Sequence, residues 1–553
     1  MDAPETFDYV IVGSGSAGAV LAHRLTEDPD TSVLLLEAGP MDYSVFIHMP
    51  AAFAEPLKGR RFNWGFKTEA EPHMNNRVMD QPRGKTIGGS SSINGMAYIR
   101  GNAGDYDGWA EHNGLEGWSY GRCLPYFKKA ETYEAGGDAY HGDSGPLYVT
   151  RGKCENPLPR AWIEAGQQAG YGHTPDMNGH RNEGVGPMDR TTKGGVRWST
   201  ANAYLRPVWN RDNLTVRTRA FTERILVEKD TAVGARYTRR GATHDVRAAK
   251  EVLCCAGALQ SPQLLQVSGI GPADRLREIG VDVVADLPGV GENLQDHLEC
   301  YVQERAKEPV SLYPVTRLVK RTLVGIQWLT TRGGLGGSNH FEAGGFIRSE
   351  AGIKWPNIQY HFLPVAVNYD GTGAAPYHGY QAHVGPMRPE SRGYVRAQGP
   401  DMRNAPAIRF NYNQTERDLR EMRDSIRLTR EILRQPAFER YRQREIAPGD
   451  DVQSDAEIDE FIRDEGESAY HPCGTCAMGD GEGGVVDAEG RVHGVAGLRV
   501  VDASIMPTIP SGNLNAPVIM MAEKLADAIR GRDPLPPEDP PVWVHPDWQT
   551  TQR

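Results

Sequence analysis

The sequence predicts an α/β chain with an α+β, two-domain organisation. One domain binds a dinucleotide and is assembled from discontinuous segments; the other carries an antiparallel sheet. Three observations carry this prediction. The stretch Phe7–Gly39 reads strand, glycine turn, helix, strand and acid in order. A second strand–glycine–helix junction follows much later, at Glu251–Leu265. Between 305 and 450, extended runs and one amphipathic helix replace the glycine junctions. At 553 residues the chain also exceeds one ordinary core, so more than one domain is required.

Phe7–Val12 is a β-branched and aromatic run suited to a buried parallel strand. Gly13-Ser14-Gly15-Ser16-Ala17-Gly18 follows, and Ala17, Val20, Leu21 and Leu25 then recur at helical steps. A second apolar run, Val33–Leu36, ends in Glu37. This is the Rossmann-like dinucleotide fingerprint. Gly13 permits the tight turn, Gly15 lets backbone approach a pyrophosphate, and Gly18 lets helix and strand pack closely. The helix N-terminus, with Ser14 and Ser16 beside it, offers N–H donors and partial positive charge to phosphates. Glu37 accepts ribose hydroxyls and would repel a 2′-phosphate. The fingerprint leaves NAD and FAD both open.

Composition excludes several classes. A net charge of −11 disfavours nucleic acid, and no apolar run reaches membrane-span length. The opening MDAPETFDYV has no basic stretch before the first strand, so no export signal and a cytoplasmic location are expected. Seven cysteines at irregular spacing do not form a disulfide framework. Cys473 and Cys476 make a CxxC, a conceivable redox or zinc pair, but no second CxxC partners it and no metal is expected.

Along the chain, Trp64 and Phe66 read as packing residues in a loop. Arg83–Gly95 concentrates small residues and backbone donors around Gly88, Gly89, Asn94 and Gly95, a thin loop against which a flat ligand can lie. It is no flexible linker, because Ile87, Ile93, Met96, Tyr98 and Ile99 read as buried. Helices are expected around Arg122–Glu131 and Pro159–Ala169. Strands are expected at 213–217 and 224–228, then a small meander through Tyr237 and Val246, then a separate strand Glu251–Ala256. Beyond 305 come extended runs at Asn357–Val367 and Gly379–Val384. A helix follows with Leu419, Met422, Ile426 and Leu433 on one face and Thr415 near its start, and Ser454–Glu457 forms a capping box. Leu498–Asp502 should rejoin the first sheet. A last helix after Pro517 shows Val518, Met521, Ala522, Leu525 and Ile529 on one face. The proline-rich tail after Gly531 is expected to be exposed or disordered.

The blocks Gly84–Asp107 and Gly257–Gly271 fit, position by position, the two signature patterns of the glucose–methanol–choline (GMC) oxidoreductases, and the resemblance runs to about residue 531. Met74–Arg77, Ser338–Phe346, Tyr360–Pro364 and His471–Cys476 resemble the bacterial choline-oxidising branch of that family. The resemblance implies an FAD domain in three segments, 1–160, 211–300 and 469–531, with 161–210 as a connecting, substrate-side segment. It implies a substrate domain at 301–468 and leaves 532–553 as the tail. Gly13, Ser14, Gly15, Ser16, Gly18 and Glu37 would hold the ADP half, with Thr222 on the adenine side. Gly88, Gly89, Asn94, Gly95, Ala256, Asp502, Ala503 and Asn515 would lie along the pyrophosphate and flavin. Members that bind flavin covalently carry histidine where this chain has Ile93, so non-covalent FAD is expected.

The same resemblance places His471 as the base that takes the alcohol proton while hydride passes to flavin N5. Asn513 stands where other branches carry a second histidine and would orient the alcohol oxygen. A quaternary ammonium offers no hydrogen bonds, so its recognition needs carboxylate charge and aromatic faces. Glu299 and His361 match substrate-site positions, and Tyr470 and Phe341 are cage candidates. Choline and betaine aldehyde would be the substrates, with oxygen or a quinone-like acceptor taking the electrons. A homodimer and a peripheral contact with the inner face of the membrane are compatible with that branch. Arg317–Arg332 is basic with apolar residues at helical spacing and could rest on an anionic membrane; a substrate-domain helix with a solvated face is the favoured reading. A GMC enzyme for another primary alcohol is the nearest alternative. A nucleotide-binding protein without chemistry would leave His471 and Asn513 unexplained.

Overall fold

The structure, a computed structural model, describes residues 4–112, 114–368 and 373–553. Its first sheet draws on three separated stretches of chain. The strands are β1 (Glu5–Val12), β2 (Val33–Glu37), β3 (Leu214–Thr218), β4 (Ala220–Glu228), β5 (Thr231–Arg239), β6 (Ala242–Cys254) and the short Leu498–Val500. β3, β2, β1 and β6 lie side by side and parallel, and Leu498–Val500 adds in parallel beyond Val252–Cys254 of β6. The meander and the strand expected after it are continuous. β6 is a single 13-residue strand whose first half pairs antiparallel with β5. Its exposed polar start, Thr243, His244 and Asp245, and its buried end, Val252–Cys254, differ enough in composition to read as two elements. Helix α1 (Ser16–Leu25) buries Val20, Leu21 and Leu25 and packs on the helix Asn515–Ile529. Arg24 clamps the buried Glu523 carboxylate between those helices through two 2.8 Å bonds.

The second sheet is antiparallel. It contains β7 (Leu298–Ala306), β8 (Ala343–Ile347), β9 (Ile358–Leu363), β10 (Gly379–Pro386) and β11 (Arg442–Ala447), in the order β11-β7-β10-β9-β8, with Gly184–Pro187 on the far edge. Strand periodicity divides its faces. Cys300, Val302, Tyr360 and Phe362 join Trp162 of α2 (Pro157–Gln168) in a core. Met422, Ile426 and Leu433 of a later helix (Glu416–Leu433) complete it, under a Thr415 cap that accepts the Asp418 N–H. Glu299, Gln303, Gln359, His361, Gln381 and His383 alternate onto the opposite face. α2 starts at Pro157, so the expected segment border at 160 falls inside a helix that packs with this second core.

The basic stretch forms α3 (Leu318–Thr331), and its solvated face is apolar. Trp328 alone is buried along it, while Leu318, Val319, Leu323, Ile326 and Leu329 are exposed. Among the described residues no helix is long and apolar enough to cross a membrane.

The tail lies exposed on the surface, as expected, but it is pinned there in an ordered course and straps the two halves together. Leu535 N–H donates to the Tyr126 hydroxyl, and Glu538 N–H to the Gly121 carbonyl, on the first half. Farther on, Trp543 N–H donates to the His180 carbonyl and its ring lies 3.9 Å under the Arg181 guanidinium. Buried Arg348 donates to the Trp548 and Thr551 carbonyls (3.3 and 2.7 Å) and to Glu183. Arg553 ends the chain on Glu431. Proline content suggested disorder, but tryptophans supply the anchors. Arg348→Ala strands a buried carboxylate and two carbonyls, so it should cost about 2–4 kcal/mol and lower the thermal midpoint. Ending the chain at Gly531 should lower it too, and an unchanged unfolding midpoint in both would remove the strap's structural role.

Candidate active site

One cavity of about 1460 Å³ lies outside the carboxyl ends of β1, β2 and β6 and reaches the cavity-facing side of the second sheet. That position is where open parallel sheets bind nucleotides. Its volume exceeds the ~300–1,000 Å³ of an ordinary small-ligand cleft, which suits a dinucleotide together with a substrate. Gly13 has φ +99°, which permits the turn after β1. A Cβ on Gly89 would sit 2.6 Å from the Gly15 Cα, so the fingerprint turn and the serine-rich loop touch backbone to backbone. Neither α1 nor the helix Asn515–Ile529 has a side-chain cap. Ser16 Oγ donates to Asn515 Oδ1 at 2.7 Å, bringing both N-termini to one wall. Two uncapped helix ends meeting over bare backbone fit an anionic diphosphate.

Twelve of the expected cofactor positions line this cavity. Gly13, Gly15, Ser16, Glu37 and Thr222 surround its nucleotide end. Gly89, Asn94, Gly95, Ala256, Asp502, Ala503 and Asn515 continue toward the second sheet. Ser14, Gly18 and Gly88 stand behind the wall and shape it. The Ser14 hydroxyl and N–H donate to Glu37 Oε2 (2.6 and 3.2 Å), and Gly39 N–H donates to Oε1 (2.7 Å). Burial raises the Glu37 carboxyl against these lowering bonds. Gly18 packs under the turn, with no room for a Cβ beside the Gly13 carbonyl, and Gly88 adopts φ +84° to start the serine-rich turn. Asp502 accepts from Gly257 N–H and Ser261 Oγ, tying the third chain segment to the second. Ile93 lines the cavity and packs with Ile47 and Phe62.

The reacting end is organised around His471. Its backbone N–H donates to Asp296 at 2.6 Å, and that buried carboxylate also accepts from Ser468 and Tyr412. Burial pushes Asp296 up to about 6. The side chain is fixed by a chain of hydrogen bonds. His297 Nε2 can only donate to the Met387 carbonyl (3.1 Å), which leaves its Nδ1 as an acceptor for His471 Nδ1–H (3.1 Å). His471 Nε2 therefore carries the lone pair, and Asn513 Nδ2 points at it from 3.1 Å. Asn513 Oδ1 accepts from Gln359 and His361 (3.3 and 3.4 Å), which sets the amide orientation. Burial, with His297, His361 and Arg83 nearby, holds His471 well below the ordinary histidine value. It is thus a neutral base at neutral pH.

Across the cavity, Glu299 Oε1 meets His383 Nδ1 at 2.9 Å. Burial works against its ionisation, but the His383 contact, with His361 and His297 behind it, holds the carboxyl below the usual glutamate value. Phe341 stands edge-on to both His361 and His383, with centroids 6.0 Å apart in each pair. Tyr470 lines the same wall, its backbone at φ +64° just before His471. The expected catalytic and substrate residues, His471, Asn513, Glu299, His361, Phe341 and Tyr470, therefore share one chamber.

Sequence reasoning missed Asp296, His297, His383 and Arg197. His297 precedes Glu299 by two, and strand alternation would have put them on one face. Arg197 lies wholly buried and donates to the Ile47, Ser91 and Asn94 carbonyls and to Asn94 Oδ1. Burial pushes its pKa down to about 9. It braces the loop that carries Asn94, and nothing in its local sequence signals this.

The family model described as GMC oxidoreductase matches residues 7–299, and its C-terminal counterpart matches 389–522. An oxygen-dependent choline dehydrogenase of Chromohalobacter salexigens is 58% identical over 540 residues, 97% of each chain. Pyridoxine 4-oxidase from Mesorbium loti superposes with a TM-score of 0.87 at 35% identity, over 95% of this chain and all of that one. An Aspergillus oryzae formate oxidase, in a structure concerned with FAD modification, gives 0.88 at 26% over 96% of this chain and 99% of its own. Family matches over both halves, near-full-length identity and a cavity built for a dinucleotide agree: this chain belongs to the FAD-dependent GMC oxidoreductase family.

Proposed function

We propose that this chain oxidises choline to betaine aldehyde, and the hydrated aldehyde on to glycine betaine. The observation that carries the reading is a half-buried carboxylate, Glu299, facing a neutral-histidine base across one chamber. The choline dehydrogenase relatives support it. Bound FAD supplies the two-electron acceptor for the hydride released from the alcohol carbon. The alcohol proton goes to His471 Nε2, whose lone pair is oriented by the His297 hydrogen bond. Asn513, an amide that cannot act as a base, orients the alcohol oxygen beside that nitrogen. The trimethylammonium group lies toward Glu299, with Phe341 and Tyr470 as apolar walls. A gem-diol presents the same hydroxyl-bearing carbon, so the second oxidation reuses these groups.

FAD is held without a covalent bond, since Ile93 offers no nucleophile at the position where covalent members carry histidine. Electrons leave to oxygen or to a quinone-like acceptor. The exposed face of α3, with Leu318, Val319, Leu323, Ile326 and Leu329 beside Arg317, Lys320 and Arg321, is the surface for a peripheral contact with an anionic membrane. A homodimer remains part of the proposal and is read by light scattering.

Anaerobic addition of choline should bleach the flavin, faster than any alcohol lacking the ammonium; bleaching by simple primary alcohols and not by choline would favour the other-alcohol reading. His471→Ala should lower kcat by ~10²–10⁴-fold with flavin retained. Glu299→Gln should raise KM for choline by about tenfold or more and change kcat far less. Equal KM for choline and its carbon isostere, with tert-butyl in place of trimethylammonium, would sink the Glu299 assignment. Acid precipitation should leave the yellow chromophore in the supernatant; flavin remaining with the pellet refutes non-covalent binding.

A further inference from the structure

Behind the serine-rich turn lies a buried cation with no anion beside it. Arg197 joins two stretches that line the cavity, 45–49 and 89–95. Its Nε donates to the Ile47 carbonyl at 2.7 Å. Its Nη1 donates to the Ser91 carbonyl, the Asn94 carbonyl and Asn94 Oδ1 at 3.2, 2.7 and 2.8 Å. All of these acceptors are uncharged. Among the described residues no carboxylate pairs with the guanidinium, and its buried Nη2 has no hydrogen-bond partner. Asp42, the acid of this neighbourhood, is already clasped by Arg206 at 2.7 and 2.8 Å. His48, which senses all three groups, is held below the ordinary histidine value chiefly by burial. A lone buried cation carries a desolvation cost that pairing would relieve.

The same contacts decide what Asn94 offers. Its Oδ1 also accepts the Met96 N–H at 3.1 Å, so the amide oxygen is taken by protein donors. Asn94 lines the cavity, and among the described residues its NH₂ has no partner. The group it presents to a ligand is therefore a donor. This point lies toward the reacting end. Asn339 Nδ2 holds the Gly95 carbonyl at 2.8 Å, and a Cβ on Gly95 would stand 3.8 Å from the Phe341 ring.

We infer that Arg197 is a positioning residue for the flavin, turning the Asn94 amide donor into the cavity and favouring the reduced, negatively charged ring through its own unpaired charge. Hydride from the alcohol carbon brings two electrons and one proton to a neutral ring, leaving one negative charge there, while the alcohol proton goes to His471. A fixed N–H donor and a buried cation complement that charge and do far less for the neutral ring. The inference rests on FAD as the bound group and holds whichever alcohol is oxidised.

The test is the midpoint potential of the flavin-loaded protein, read by absorbance during anaerobic equilibration with a reference dye and with no alcohol present. In Arg197→Met the reduced-to-oxidised flavin ratio at a given dye poise should fall by about tenfold or more, which is about 30 mV for a two-electron couple. Arg197→Gln keeps an NH₂ for the Asn94 oxygens but not the charge. It should lower the ratio by a similar factor, and it carries the measurement if the methionine variant does not load flavin. A role confined to bracing the turn would weaken FAD in both oxidation states alike and leave the potential in place. FAD retention on gel filtration, oxidised and reduced, checks this: the loss should fall mainly on the reduced form. A ratio within about twofold of wild type in either flavin-loaded variant overturns the inference. Loss of FAD from both variants in both oxidation states also overturns it, in favour of a brace. Because no substrate enters the measurement, failure of the choline reading would leave its outcome unchanged.

Discussion

The chemistry depends on two passages of chain running past each other between the sheets. Residues 295–299 leave the first half of the molecule as 467–473 return to it, and the two are hydrogen-bonded antiparallel. Gln295 and Cys473 exchange both backbone bonds, the His297 carbonyl accepts from Ala469, and Leu298 pairs with Ser468. This short ladder sets Asp296 against the His471 amide, His297 against its ring and Glu299 at the far side of the chamber. One register thus fixes His471, the His297 ring that selects its tautomer and the Glu299 carboxylate, the groups proposed to take the alcohol proton and to meet the charge of the substrate. A slip of one residue would turn each of them to the wrong face.

The cavity is polarised along its length. Its nucleotide end is formed by two uncapped helix N-termini, which favour anions. Its other end carries Glu299 near His297, His361 and His471, each held below the ordinary histidine value chiefly by burial. His297 is pushed down to about 4, again chiefly by burial. A cation entering from solvent therefore meets negative charge across the chamber from His471, while the positive helix ends stay at the nucleotide end. Asn513 in place of a second titratable base fits this pattern, because it positions without adding charge.

The sequence made the nucleotide end legible because a glycine turn, a helix and a terminal acid are contiguous and leave a pattern. His471, Asn513, Glu299 and His361 emerged through family blocks rather than through any local physical signature. The partners that give them their states did not emerge. His297 and His383 are brought to them by the pairing of chain segments, and register is a property of pairing that a single strand's composition does not encode. β6 escaped for a related reason: one strand serving two neighbours changes burial halfway along. The tail is exposed as expected, but its order was missed because proline was weighed above Trp543, whose ring lies under Arg181, and Trp548, whose carbonyl accepts from Arg348 and Gly352.

That tail has a mechanical meaning. Bonded to Tyr126 and Gly121 at one end and to Arg348 and Glu431 at the other, it crosses the seam on the outside of the molecule as the 295–299 ladder crosses it inside. A body tied at two places along its seam does not open like a clamshell. Traffic of substrate and product must instead pass the rim, where 45–58 and α3 line the cavity mouth. The molecule is a vessel whose wall is riveted at two places, so its contents are exchanged over the lip.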